Sequence, residues 1–142
     1  MGAPRFDALT PFENADNSAI SKQEMAEAGL LAYFSIAKEW DLKTDEQRKL
    51  LGNPGRSRFF DLKAGKSHSV SDDELDRLAY VTGIYSALNI LYSPENTFLW
   101  LKNTSESASK WRGQSPLEYL LTGKMMALID VYRYLNGLRG AA

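Results

Sequence analysis

Cysteine is missing from the chain, and histidine occurs once, as His68. Without thiols there is no disulfide, no thiolate metal site and no cysteine nucleophile, and one imidazole does not make a zinc site by itself. Long apolar runs are also missing. The apolar stretches are short and interrupted, and the first residues show no basic region followed by an apolar run, so neither a membrane span nor a secretory signal is expected. A cytoplasmic location with no membrane partner follows as the default. The glycines form neither a phosphate loop nor a dinucleotide fingerprint. Alternating runs rich in Val, Ile and Thr, which a sheet would need, are absent as well, so the fold expected is all-α with about seven helices. With 142 residues and a formal charge of −1, the chain is one domain, or two small helical ones sharing a core, with no chain-wide attraction to nucleic acid.

Catalytic constellations do not survive inspection. His68 lies beside Ser67 and Ser69, but no acid is placed to orient it, and a surface loop histidine is the plainer reading. Asp72, Asp73 and Glu74 are consecutive and fan out around a helix start instead of converging on a metal. The chain therefore reads as a binding protein and not an enzyme, with no catalytic residue, no metal and no cofactor.

What the sequence does have is helix punctuation. Residues 1–17 carry two prolines and a glycine without periodicity and read as a flexible arm. Ser21 and Glu24 make a capping box, after which Ala26, Leu30, Tyr33, Ala37 and Trp40 recur at helical spacing. Leu31 and Phe34 widen that stripe, either for the core or for a partner. Thr44 and Gln47 suggest a second box, opening a short helix through Leu51 that stops at Gly52. Asn53, Pro54 and Gly55 turn the chain, and Arg56 to Leu62 suits a second short helix closed by Gly65. Two short helices around a glycine turn, over residues 44–65, have the form of a helix-turn-helix.

From Lys43 to Lys66 seven basic residues stand against three acids, an excess of four in a balanced chain. Basic groups around a recognition-type helix neutralise phosphates and read base edges. Asn53, Arg56, Ser57, Arg58 and Lys63 are the candidates, and a solvated basic face is the alternative. Ser71 and Glu74 form a further box, and Leu78 to Leu91 is apolar on nearly all sides, as a central buried helix would be. Gly83 within it suggests close approach by another helix. Ser93 and Pro94 start the next helix, which places Phe98, Leu99 and Leu101 in the core, and Asn103 to Lys110 is a polar loop.

The last thirty or so residues are the most distinctive. Ser115 stands at an N-cap, Pro116 at the first helical position and Glu118 three residues on. Thr122 and Gly123 stop that short helix, and a second runs from Lys124 to about Leu138 before Gly140 ends it. Met125, Leu128, Tyr132 and Leu135 make one apolar row, and Ala127, Val131, Tyr134 and Leu138 make another. A helix apolar on two sides should be covered on both, so Met125, Leu128, Val131 and Tyr132 are expected at a homodimer interface.

Gly113, Ser115, Pro116, Leu117 and Glu118, then Thr122, Gly123 and a closing apolar helix, with Trp100, Leu101 and Trp111 upstream, resemble the toxin-binding domain of the Xre/MbcA/ParS antitoxins. The resemblance reaches back to about Trp40. Leu50, Leu51, Gly52, the early Arg56, Phe60 and Gly65 look like the helix-turn-helix of the same proteins, with Phe60 where relatives often carry Trp. It implies a helical region over residues 18–92 followed by a small toxin-binding and dimerisation domain over residues 93–142. It also implies a type II antitoxin, which neutralises a RES-class toxin (NAD-consuming or ADP-ribosylating) by occluding its active site, and which autorepresses its operon on operator DNA. Carried onto this chain, toxin contact falls to Tyr134, Leu135, Leu138, Arg139 and Gly140. Arg139 suits an anionic pyrophosphate cleft or, more simply, complements the helix C-terminal dipole. Two other readings remain: a stand-alone helix-turn-helix transcription regulator whose C-terminal domain dimerises, and a helical adaptor without DNA binding.

Overall fold

A computed structural model describes residues 21–104 and 110–141. The arm expected over residues 1–17, most of the polar loop before Trp111, and Ala142 lie outside the described residues. Seven α-helices and no strand occur among the described residues: α1 (Lys22–Glu39), α2 (Thr44–Leu50), α3 (Arg56–Lys63), α4 (Asp72–Leu91), α5 (Pro94–Lys102), α6 (Pro116–Leu120) and α7 (Met125–Ala141). The fold is all-α.

Local chemistry sets the helix starts. Ser21, Ser71 and Ser115 each accept from the backbone N–H three residues on, while Glu24, Glu74 and Glu118 reach back to the capping residue's own N–H. Each box satisfies two otherwise orphaned donors, worth about 1 kcal/mol per cap. Ser93 caps α5 with Pro94 in the first turn. The box expected at Thr44 lies one residue earlier. Lys43 is the N-cap, its N–H donates to Glu46 Oε1 at 2.8 Å, and Thr44 is already helical. Carboxylate reach decides this: Glu46 is three residues from Lys43, whereas Gln47 is buried and turned inward, its Nε2 donating to Leu42 O at 2.9 Å.

α4 is the central element, with α1 packed on one part of its surface and α7 on another. Leu78, Val81, Ile84, Ala87 and Leu88 supply its buried surface. A Cβ on Gly29 would lie 3.3 Å from Leu78 Cδ1, so α1 meets α4 closely there. Gly83 in α4 is partly buried. One apolar cluster runs from Leu30 in α1 through Phe59 in α3 and Leu101 in α5 to Leu135 in α7. The helix-turn-helix region and the C-terminal helices thus share a core.

α7 departs from expectation at its end. It continues through Gly140. A helical glycine costs about 1 kcal/mol relative to alanine, a penalty too small to end a helix already anchored along its side.

Candidate functional site

Two surfaces contain the residues singled out above. The first is α2, the turn and α3. The turn requires a left-handed backbone at Gly52 (φ 99°) and Asn53 (φ 64°). The Asn53 N–H donates to Arg48 O, and Arg48 Nε donates to Pro54 O at 3.1 Å. Beneath it Arg77, itself buried, donates from Nε to Asp73 Oδ2 at 2.8 Å and from Nη1 to Leu50 O at 3.3 Å and Gly123 O at 2.8 Å. One guanidinium therefore ties the end of α2 to the turn before α7. Tyr33 adds a buried hydrogen bond, donating to Gln47 O at 2.6 Å. Burial pushes its phenol far up, with Arg77 acting in the opposite direction, so Tyr33 remains a neutral donor.

α3 sends Phe59 and Leu62 into the core and leaves Arg56, Ser57, Phe60 and Lys63 outside. Phe59 meets Phe34 edge-to-face at 5.6 Å, which assigns much of Phe34 to the core, whereas Leu31 is 78% exposed. Of the five expected DNA-binding residues, Asn53, Arg56 and Ser57 are exposed together at the turn and the first turn of α3. Arg56 lies over the Phe60 ring at 5.4 Å and pairs loosely with Asp45 at 3.5 Å, contacts that leave an exposed side chain easy to redirect. Lys63 is exposed but donates to Gln47 Oε1 at 3.2 Å.

Arg58 is held differently from Arg56. Its Nη1 donates to Glu74 Oε2 at 2.7 Å, its Nη2 to Glu74 Oε1 and to Ser69 O at 3.0 Å. Arg58 is exposed, but its guanidinium fork is engaged by a carboxylate. Arg58 instead fastens α3 to the start of α4. Burial pushes the Glu74 carboxyl up, but hydrogen bonds from Arg58 and the Ser71 backbone outweigh it and hold the group below its ordinary value. The bond to Glu74 pushes Arg58 up in turn. In the sequence Glu74 shows only as a capping acid, and nothing there signals Arg77 as a buried tie.

The second surface is α7. Ala127, Leu128, Val131, Tyr132 and Leu135 are buried within the chain, and Tyr132 meets Tyr80 of α4 edge-to-face at 5.3 Å. This corrects the expected interface. Leu128, Val131 and Tyr132 form a seam with α4 and have no surface to offer a second copy; Met125 is half-buried against the same core. Leu135 is likewise fully buried, which removes it as a direct toxin contact. Tyr134 is half-buried, stacked near Trp100 at 6.4 Å and edge-on to Trp111 at 5.9 Å, with Lys110 Nζ 4.8 Å from its centroid. Leu138 is half-buried, while Arg139 and Gly140 are exposed. Arg139 Nη1 donates to Asn136 Oδ1 at 3.3 Å. Met126, Arg133 and Gly137 complete the exposed side of the helix.

α6 braces α7 through the Tyr119 hydroxyl, which donates to Asp130 Oδ2. That bond, with some burial, pushes the phenol up to about 12. His68 is half-buried between Ser67 and Ser69, and among the described residues no three acidic or histidine side chains gather to hold a metal ion. Among the described residues no helix is long and apolar enough to cross a membrane.

No family model matches the chain, and no solved structure matches it. The chain is similar to the uncharacterized protein y4oB of Sinorhizobium fredii strain NGR234, at 34% identity over 125 residues, covering 87% of this chain and 94% of that protein.

Proposed function

This chain belongs to the family of the Sinorhizobium fredii protein y4oB, and we propose that it acts as a type II antitoxin of the Xre/MbcA/ParS kind. In this reading it neutralises a RES-class, NAD-consuming or ADP-ribosylating toxin by placing the end of α7 in the toxin's active site. The observation that carries the reading is the division of α7. One side is locked to α4 by fully buried side chains, while Arg139 and Gly140 in its last turn remain exposed. A rigid stem with an exposed cation at its tip suits entry into a cleft built for an anionic pyrophosphate. The shared-core anchorage also limits the conformational entropy lost on docking.

Operator binding is the second role, with Asn53, Arg56 and Ser57 as the contacting set. Arg58, paired with Glu74, and the buried row of α7 support these surfaces. Dimerisation, where it occurs, uses exposed residues and not the α4–α7 seam.

The test is growth and cellular NAD during expression of the product of the neighbouring reading frame, with this chain supplied unchanged or as Arg139→Glu. Arg139 is exposed, so the variant retains its fold. Rescue by the unchanged chain and failure of the folded variant is the expected result. A harmless neighbour, or equal rescue by both, would overturn the plug mechanism.

A further inference from the structure

The last turns of α1 and α4 and the start of α5 enclose a cavity of about 360 Å³. Four aromatic side chains line it, Trp40, Tyr85, Tyr92 and Phe98, together with the carboxylate of Glu39, and no basic residue is among the described lining residues. Trp40 is buried and Phe98 is 38% exposed, so the cavity has a covered side and an open one. Tyr85 Oη donates to Oε2 of the exposed Glu39 carboxylate at 2.6 Å. Glu39 forms no ion pair among the described residues.

Backbone electrostatics are mixed, since the C-terminal end of α4 and the N-terminal end of α5 both border the cavity and carry opposite partial charges. α4 is 20 residues long and has no basic residue in its last turn. The Leu88 carbonyl at that end accepts from Tyr92 N–H at 2.8 Å and from Thr97 Oγ1 at 3.5 Å, with no cationic side chain in that turn to complement it. Aromatic faces add their negative quadrupoles. A bare metal ion would want several converging oxygens, and the wall offers one carboxylate. A cavity at the small end of the range for ligand sites, with one carboxylate in an aromatic wall, suits a compact cation with an apolar body.

We propose that this cavity binds a small organic cation of the alkylated ammonium or guanidinium class, with Glu39 as counter-ion and Tyr85, Tyr92 and Phe98 as its cation–π wall. The site is independent of the toxin and operator readings. The protein supplies a rival ligand of similar chemistry, since Lys102 Nζ lies 5.1 Å from the Phe98 centroid.

The full chain is titrated with tetramethylammonium chloride and with methylguanidinium chloride at constant ionic strength, and separately with tert-butanol as the uncharged analogue of similar shape. The Trp40 indole N–H resonance reports binding. Both cations should give a saturable shift with a dissociation constant in the millimolar range, and tert-butanol should give none. Glu39→Gln, which keeps the hydrogen bond from Tyr85, should weaken tetramethylammonium by about fivefold, Phe98→Ala by a similar factor, and Lys102→Gln should strengthen it by about twofold. The proposal is overturned by the absence of a saturable shift, by equal binding of tert-butanol, or by unchanged affinity in folded Glu39→Gln and Phe98→Ala proteins.

Discussion

α7 and α3 face the same core but are held to it by different forces. α7 presents Leu128, Val131 and Leu135, all fully buried, so its attachment is an apolar seam. α3 buries Phe59 and Leu62, and much of the rest of its attachment is charge: Arg58 on Glu74, Lys63 on Gln47, Arg56 near Asp45. An apolar seam is insensitive to salt and pH, whereas a charged clasp responds to both. The seam that holds the proposed toxin-facing helix should therefore respond little to ionic conditions. The proposed DNA-facing helix has a position that ionic conditions can adjust.

The largest effect should come from breaking the seam. Leu135→Ala leaves a cavity between α7 and α4 and should cost about 2–5 kcal/mol in urea unfolding, with no dependence on salt. Arg77→Met should follow, at about 2–3 kcal/mol, because it strips the donors from Leu50 O and Gly123 O inside the fold. Gly123→Ala attacks the same joint from the other side. Its φ is 82°, and the added Cβ would lie 2.9 Å from Lys49 Cγ and 3.0 Å from Lys49 O, a strain of about 1–3 kcal/mol.

Glu74→Gln should cost less, about 1 kcal/mol at neutral pH, since the Arg58 side chain is 43% exposed and solvent screens the pair. The folded carboxyl titrates below its ordinary value of 4.5. Its contribution is complete above that value and is lost as pH falls through the lowered folded value. The gap between Glu74→Gln and the unchanged protein should close in acid, and at neutral pH it should narrow with added salt. Equal sensitivity of Leu135→Ala to salt would erase the distinction between the two helices. Smallest of all, Arg56→Ala should change stability by no more than about 0.5 kcal/mol while weakening operator binding and lowering its salt slope by about one.

Helix starts were legible in the sequence because capping is local. Ser21, Ser71 and Ser115 carry their glutamates three residues on, and a reader of the chain can pair them without knowing the fold. The start of α2 was displaced by one residue because Thr44 is the better capping side chain, yet the tertiary burial of Gln47 left Glu46 to reach back to Lys43. The apolar sides of α7 were legible too, but periodicity tells which residues want cover and not what covers them. The cover turned out to be α4 on one side and, at Tyr134, the rings of Trp100 and Trp111 on the other. Arg58 and Glu74 are sixteen residues apart, and Arg77 and Gly123 forty-six. Their pairing arises only when helices assemble, so a base-reading arginine and a structural clasp look alike in the sequence.

The most direct test sets Arg56→Ala and Arg139→Glu side by side in one operon reporter that records growth in the presence of the neighbouring gene product and repression of the operon's own promoter. Arg56→Ala should lose repression and keep protection, and Arg139→Glu should lose protection and keep repression. A folded variant of either kind that loses both activities, or neither, would contradict the assignment of two separate surfaces to two separate partners.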